Sequence, residues 1–553
     1  MSGVPLARFT RWVLSPEPAG SPGHLWPRWL FLRAFALICF SAFYSLLFQI
    51  NGLIGPAGIL PAGPFLHAIP AQLGWIRYWY APTLLWLGNS AGALKTLSWA
   101  GLLASILLFL NVWPRGMIAV CLVSYLSFVS AAQDFSSYQS DGMLLAAAFL
   151  CLFFAPPGLL PGLGKSHPPS RASLFLLQWL WFRIYFESGI VKMASGDPEW
   201  RHLTALYSYY SNGPLPDWIG WYAQHLPHWL NAALALATLT IELGLVWLLF
   251  LPRPLRLLCF FIVTPFQIGI ILTANLAFLN YFVLSLGFLL LDDRFLTRAS
   301  ERLGPAHWIE SHVRAPAWLA WWWASPIPVN VADVPANLTR LPPLRRTVKA
   351  VFTATTGVIF AWIFYADTVL LLLTLFPRLP LPTSPIEALE PFRIANQYGL
   401  FAVMTRARYE IEFQGSRDGK TWVAYPFRYK PQDPRQAPRI YAPYQPRFDW
   451  NLWFASLGTW RQYPFVVRTE VLLLLNDPSV LSLFAGNPFD GQPPQFVRAV
   501  RWQYWFTSLG TLRESGLWWR RKLLGLYGPV IKRLPGGRVG VIKWPGASIA
   551  NHG

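Results

Sequence analysis

The sequence predicts an α-helical polytopic membrane bundle of about nine spans, followed by an exported, β-rich and sandwich-like C-terminal domain. Hydrophobic residues make up 54% of the 553 residues and charged residues only 13%, whereas an ordinary soluble domain has about 25% charged residues. The apolar residues fall into runs of about 15 to 25, close to the length that crosses a hydrocarbon core of about 30 Å. After about residue 400, alternating and β-branched residues replace these long runs and indicate strands.

Nine apolar runs are predicted to cross the membrane. Their ranges are 29–50, 97–113, 116–131, 142–156, 172–193, 229–251, 255–274, 276–291 and 350–376. The first run is too long for a cleavable signal segment of about 7–15 residues and therefore predicts a retained anchor. The resulting domains are a cytoplasmic segment 1–28, a transmembrane domain 29–376, a Pro-rich connector 377–390, an exported β-rich domain 391–512, and an amphipathic helix with a tail, 513–553.

Positive charge predicts the orientation, because Lys and Arg favour cytoplasmic loops. With a cytoplasmic N-terminus that carries Arg8, Arg11 and Arg28, the cations between the runs lie in cytoplasmic loops: Arg115, Lys165, Arg171, Arg253, Arg256, Arg294, Arg298, Arg345, Arg346 and Lys349. Segments 51–96, 132–141 and 194–228 then lie outside, as does the chain after about residue 377. Arg strongly outnumbers Lys, as in a GC-rich bacterial genome. The expected location is a bacterial inner membrane, or an endoplasmic reticulum membrane if the source is eukaryotic.

Local patterns predict three elements in the exported part. Residues 408–413 and 421–427 flank the turn sequence 415–420 and predict a β-hairpin. Residues 465–475 predict a further strand. Residues 514–527, which contain adjacent tryptophans and arginines, predict an amphipathic helix on a membrane surface.

The fifth apolar run contains Arg183, Glu187 and Lys192, although charges at membrane depth are costly unless they are paired. Arg183 and Glu187 are four residues apart and can pair on one helical face. Glu242, in the sixth run, is a possible partner for Arg183 or Lys192. Lys192 either extends to the membrane interface or, if desolvated, acts as a base with Glu187 or Asp134 nearby.

For the other candidate sites, a structural role is expected rather than a chemical one. Asp134 and Asp141 bracket a polar loop and suit either a cation or acid–base chemistry, but helix capping or a loop hydrogen-bond network is favoured. Asp449 and Trp450 suggest a turn-capping Asp beside a buried Trp. The four cysteines lie in apolar runs, so neither a disulfide framework nor a metal site is expected, and no cofactor is expected. The Lys and Arg residues lie between the apolar membrane runs and do not form the clustered basic face that nucleic-acid binding requires.

Several segments together resemble one family, the lipase maturation factors, which are membrane proteins that help secreted lipases fold and assemble. The segments are 51–58, 133–142, 182–192, 205–210, 396–401, 403–405, 415–422 and 447–454, together with Trp200. The resemblance implies a chaperone-like role, with exported lipase-type clients and the lipid bilayer as partners. It draws attention to an outer-loop motif of Asp134, Tyr138, Asp141 and Trp200. The aromatic residues of the exported domain supply client-facing candidates: Tyr398, Phe401, Trp422, Trp450 and Trp453.

A weaker resemblance covers only the membrane part. Residues 189–192 followed by Trp200 are similar to a stretch of the vitamin K-dependent γ-carboxylases, where the lysine that matches Lys192 is a catalytic base. The alternative function is therefore a membrane-embedded enzyme that acts on a lipophilic substrate. The sequence leaves the oligomeric state and the identity of the client open.

Overall fold

A computed structural model describes residues 14–15, 23–303, 343–489 and 491–546. The predicted cytoplasmic segment 1–28, with Arg8 and Arg11, lies largely outside these residues, and so do the end of the tail and the side chains of Arg345, Arg346 and Lys349.

The N-terminal two-thirds of the described chain is helical. Its longer helices are α1 (Leu25–Ile54), α2 (Ala91–Phe109), α3 (Pro114–Val129), α4 (Gln139–Phe154), α5 (Arg171–Ala194), α6 (His228–Leu243), α7 (Arg253–Thr273), α8 (Leu279–Gly287), α9 (Asp293–Leu303) and α10 (Pro343–Leu375). Short helices occupy the connections: Ala62–Ala68, Ile76–Tyr80, Pro198–Arg201, Leu206–Asn212 and Trp218–Gln224.

Each of the nine predicted runs is mainly helical, but the number of spans is not confirmed. Among the described residues, five helices are long and apolar enough to cross a membrane: Leu25–Ile54, Ala91–Phe109, His228–Phe250, Arg253–Thr273 and Ala350–Leu375. Helices Pro114–Val129, Gln139–Phe154 and Leu279–Leu290 are apolar but shorter. Helix α5 has 24 residues and carries Arg183, Glu187 and Lys192.

Close packing and capped ends explain how the helices assemble. Ser90 and Ser170 begin α2 and α5, and each hydroxyl accepts a hydrogen bond from a backbone N–H three residues later. Helices α1 and α2 approach closely at Gly101, where an added Cβ would lie 2.2 Å from a ring carbon of Phe43. Only glycine leaves room for that ring, so this residue fixes the spacing of the first two helices.

The C-terminal domain contains one antiparallel six-stranded sheet. Its strands are β1 (Arg408–Ser416), β2 (Val423–Ala424), β3 (Phe496–Phe506), β4 (Trp519–Leu526), β5 (Val530–Arg533) and β6 (Val539–Lys543). The order is β2-β1-β3-β5-β6, and β4 also pairs with β3. Helices α11 (Arg447–Ser456) and α12 (Pro464–Leu474) pack against β1 and β3. The strand-rich domain is confirmed, but the described residues form one sheet with helices rather than a sandwich.

The predicted hairpin is confirmed and the predicted strand at 465–475 is wrong. Gln414 in β1 faces Ala424 in β2, and the Asp418 carboxylate accepts backbone hydrogen bonds within the turn between them. Residues Pro464–Leu474 instead form α12, in which Phe465, Val466, Thr469, Glu470 and Leu473 are buried. These positions follow a helical period, and the two valines at 466 and 467 had favoured a strand.

The predicted amphipathic helix 514–527 is also wrong. A short helix, Leu509–Ser515, ends at Gly516, which has a left-handed φ of 68°. Residues Trp519–Leu526 then pair with β3, with Trp519 opposite Phe506. Because β4, β5 and β6 belong to the same sheet, the domain does not end at residue 512 but continues through the described chain.

Helix α1 extends from one end of the bundle to the other and contacts a different part of the protein at each end. At its N-terminal end, Arg28 donates to the backbone oxygens of Leu163, Gly164 and His167 at 2.7–3.1 Å. At its C-terminal end, an added Cβ on Gly52 would lie 2.7 Å from the Ser479 oxygen in the C-terminal domain. The helix has 30 residues and is therefore about 45 Å long. The loop at 163–167 and the C-terminal domain thus lie at opposite ends of the bundle.

Candidate functional site

The charged residues of α5 bind the chain that follows α10. Arg183 Nε pairs with Glu187 Oε1 at 2.7 Å, which confirms the predicted pair, and Arg183 Nη1 lies 2.5 Å from Asp367 Oδ1 in α10. The Arg183 Nη2 group donates to the Asn396 backbone oxygen at 2.6 Å. The other Glu187 oxygen accepts the Tyr398 N–H at 2.6 Å. This buried network joins two helices to the start of the C-terminal domain.

Lys192 neither extends to the interface nor pairs with Glu187. Its Nζ donates to both carboxylate oxygens of Glu242, at 2.7 and 2.8 Å, and lies 5.1 Å from the ring centroid of Trp200. Lys192 is only 3% exposed and Glu242 only 7%. Pairing offsets the cost of burying the two charges, and it ties α5 to α6.

Asp141 is not a helix cap but the partner of a buried arginine in the C-terminal domain. Its carboxylate accepts two hydrogen bonds from Arg447, at 2.8 Å each, and one from the Tyr125 hydroxyl at 2.7 Å. Arg447 is fully buried and also donates to the Phe135 backbone oxygen at 2.7 Å. Helix α4 of the bundle is therefore fixed to α11 of the C-terminal domain, which supports the hydrogen-bond network and excludes the cap.

Two of the remaining outer-loop residues, Tyr138 and Trp200, contribute to the same junction. Tyr138 packs edge-on against Trp450 with ring centroids 5.5 Å apart, and its hydroxyl donates to the Arg447 backbone oxygen at 3.2 Å. Trp200 is buried, and its Nε1 donates to the Phe401 backbone oxygen at 2.9 Å. Asp134 is partly exposed in the short helix 133–136 and does not join the Arg447 network.

Three of the client-facing candidates are wrong because their side chains are buried. Tyr398, Trp450 and Trp453 are 1%, 8% and 9% exposed. Phe401 and Trp422 are partly buried. Asp449 is also no turn cap, because it lies within the first turn of α11 and is 2% exposed. Burial in the C-terminal domain raises the pKa of Asp449 to about 7.

A cavity of about 320 Å³ lies beside Lys192. Helices α5, α6, α7 and α8 supply most of its walls, with contributions from the short helix Leu206–Asn212 and from Leu400 and Phe401. Its polar lining includes the Lys192–Glu242 pair, Tyr185, Gln267 and Asn280. The rest of the lining is mainly aliphatic and aromatic, and the volume is within the range of small-ligand pockets, about 300–1,000 Å³.

Sequence reasoning missed several residues of this region. Asp367 is a carboxylate inside an apolar run, the same signal that identified Glu187, and it was detectable in that way. Arg447 appeared only as part of a motif, and its partner lies 306 residues away. Gln267 and Asn280 are neutral and have no distinctive spacing, so no sequence signal identified them.

Comparison with known proteins places these features in a family. Residues 26–298 match the model of the lipase maturation factor transmembrane domain, and residues 394–529 match that of the lipase maturation factor C-terminal domain. Lipase maturation factor 1 of Bos taurus is 30% identical over 551 residues, which cover 94% of each chain. Lipase maturation factor 2 of Homo sapiens is 32% identical over 589 residues, covering 91% of this chain and 82% of the human protein.

Lipase maturation factor 2 of Gallus gallus is also 32% identical, over 91% of this chain and 81% of its own length. No solved structure matches this chain. The predicted resemblance is confirmed, since the matches include both the bundle and the sheet that it contacts. The chain is therefore a membrane protein of the lipase maturation factor family.

Proposed function

We propose that this membrane maturation factor assists the folding or assembly of exported lipases, and that it does so as a chaperone-like partner rather than as an enzyme. The observation that carries the proposal is the family match along both domains, to proteins that are named for lipase maturation. The buried junction supports it, because the Arg447–Asp141 and Glu187–Tyr398 contacts hold the C-terminal domain in a fixed place on the bundle.

Charge supports an exported C-terminal domain. The loops with Arg115, Arg253 and Arg256 surround the end of the bundle where α3 and α7 begin, and Arg253 pairs with Asp292 there at 2.6 Å. The C-terminal domain lies at the other end of α1. Because cations near a membrane favour the cytoplasmic side, this arrangement supports a location of the sheet in the exported compartment, where a translocated lipase would arrive.

The edge strand β6 is the proposed client contact, in place of the buried aromatics. Among the described residues β6 pairs only with β5, and its other edge has free backbone groups. Val541 and Ile542 on β6 are 42% and 54% exposed, and Trp544, which directly follows the strand, is 58% exposed. An apolar strand edge can pair with an extended segment of an incompletely folded client.

The test is the specific activity of a secreted lipase, measured as activity per mass of secreted protein, in cells with and without this protein. Wild type should raise specific activity, and Val541→Asp should reduce the increase because a charge on β6 opposes apolar contact. Val423→Asp is the matched control, since Val423 is 44% exposed on β2, the opposite edge of the same sheet. An unchanged specific activity with wild type contradicts the function, and equal effects of the two variants contradict the assignment to β6.

A second function, carboxylase-like chemistry, is favoured only by the position of Lys192 on the cavity wall. Against it, Lys192 Nζ donates to both oxygens of Glu242 and so does not present a free amine to the cavity. The substitution Lys192→Arg separates the two functions, because arginine keeps the positive charge but cannot act as a base. Maturation activity that survives Lys192→Arg supports the chaperone-like function, and loss in a stably folded variant supports chemistry.

A further inference from the structure

The cavity beside Lys192 opens sideways between α6 and α7. Leu234 and Ala237 on α6 line it, as do Pro265 and Gly269 on α7, and all four residues are exposed. Both helices belong to the candidate membrane spans His228–Phe250 and Arg253–Thr273. Exposed apolar residues on such helices face lipid, so the opening leads to the hydrocarbon region of the bilayer.

The inner end of the cavity carries an unused hydrogen-bond donor. The Tyr185 hydroxyl donates to Gln267 Oε1 at 2.7 Å, and Gln267 Nε2 donates to Asn280 Oδ1 at 2.8 Å. This chain leaves Asn280 Nδ2 buried and without a hydrogen-bond partner, on a residue that is 6% exposed. A buried donor without a partner is unfavourable, so a ligand oxygen that accepts its hydrogen bond would be stabilised at this point.

The charges in the cavity also limit which head group the ligand can have. Lys192 and Glu242 line the cavity but neutralise each other through two short hydrogen bonds. The site therefore offers no net charge to compensate an anionic head group, and desolvating such a group would be costly. A neutral head group with an acceptor oxygen fits both the charge and the free donor.

We propose that this cavity binds a neutral lipid through a carbonyl oxygen in its head group, which accepts a hydrogen bond from Asn280, while its hydrocarbon chain leaves between α6 and α7 into the bilayer. The volume of about 320 Å³ holds a head group and the first part of a chain. Binding at this site is separate from the proposed maturation of lipases, and its test does not use lipase activity.

The experiment uses the whole protein in phosphatidylcholine nanodiscs and a monoacylglycerol probe with a photoactivatable group in its acyl chain. Mass spectrometry of the labelled protein should place the label on α6 and α7. Unlabelled monoacylglycerol should compete with the probe, whereas a fatty acid or an alkane of equal chain length should compete weakly. The fatty acid lacks a neutral head, and the alkane lacks an acceptor oxygen.

Two substitutions distinguish a specific binding site from nonspecific contact with the lipid around the protein. Gly269→Trp should abolish the competable label by filling the opening, and it should fold, because a Cβ added at Gly269 meets no atom within 4 Å. Ile268→Trp is the matched control, since Ile268 is 41% exposed on the same helix but does not line the cavity. Asn280→Leu should weaken competition by monoacylglycerol about three- to tenfold, the effect of one hydrogen bond.

Label that persists in Gly269→Trp overturns the proposal, as does competition by the alkane equal to that of monoacylglycerol. Unchanged competition in Asn280→Leu overturns the assignment of the head group to Asn280. Stronger competition by the fatty acid would show that the site takes an anionic lipid, and would equally contradict the proposal.

Discussion

Replacing Asp141 with Asn should loosen the C-terminal domain from the helical bundle. Arg447 donates to both oxygens of the Asp141 carboxylate at 2.8 Å, and neither side chain is more than 1% exposed. The guanidinium stays protonated, so a neutral amide at residue 141 removes the compensating negative charge and leaves a buried cation with neutral acceptors only: the amide oxygen, the Tyr125 hydroxyl and the Phe135 carbonyl.

Asp141→Asn should lower the free energy of unfolding by about 3–5 kcal/mol, the usual effect of removing one partner from a buried ion pair. That is a large part of a typical unfolding free energy of about 5–15 kcal/mol. The matched control is Arg406→Gln, because Arg406 pairs with Glu199 at 3.3 Å but is 62% exposed. An exposed pair of this kind contributes about 0–1 kcal/mol.

Denaturant unfolding in detergent micelles measures the loss, and limited proteolysis of the connector 377–390 reports whether the two domains separate first. A double-mutant cycle with Arg447→Met should give a coupling of about 2–3 kcal/mol, because the double variant no longer contains an isolated charge. Additive effects, or a cost for Asp141→Asn no greater than that for Arg406→Gln, would refute the reasoning.

Three further predictions concern single positions. Burial raises the pKa of Asp449 to about 7 from an ordinary value of 3.8, so the folded state binds more protons and stability should fall as pH rises from about 4 through about 7, by at most about 4 kcal/mol. Asp449→Asn should flatten that part of the stability–pH profile, and a slope that persists in the variant would assign it to another group. Gly101→Val should cost about 1–3 kcal/mol in unfolding experiments because its Cβ meets Phe43, and Phe43→Leu should recover part of the loss; equal stability of all three proteins contradicts this packing. Gly516→Ala should cost about 1 kcal/mol because φ is 68°, whereas Gly510→Ala, within the helix that Gly516 ends, should be neutral or stabilising, and the reverse order would be inconsistent with the described turn.

Patterns confined to one stretch of chain were predictable. The lengths of the apolar runs predicted where the helices lie, since each of the nine runs is mainly helical. The turn around Asp418 predicted the β1–β2 hairpin, and a spacing of four residues predicted the Arg183–Glu187 pair. In each case the interacting groups are neighbours in sequence, so the local backbone geometry already determines the contact.

Contacts between distant segments were not predictable in the same way. Apolar β-branched residues at 465–475 suit a strand or a helix, and packing against β3 and β5 selects the helix. The aromatic residues Tyr398 and Trp450 suit a core or a contact surface equally, and only the assembled fold buries them. Pairing of Lys192 with Glu242 depends on how α5 lies against α6, which the sequence left as one of two possibilities.

The proposed contact site for an exported lipase is the β6 edge of the C-terminal domain. The most direct measurement places a photo-crosslinking amino acid at residue 542 on β6, or at residue 423 on β2 as the control, in cells that export a lipase and an unrelated enzyme. Residue 542 should crosslink newly exported lipase much more than the unrelated enzyme, and more than residue 423 does. Equal crosslinking of both exported proteins, or none to the lipase from residue 542, would contradict it.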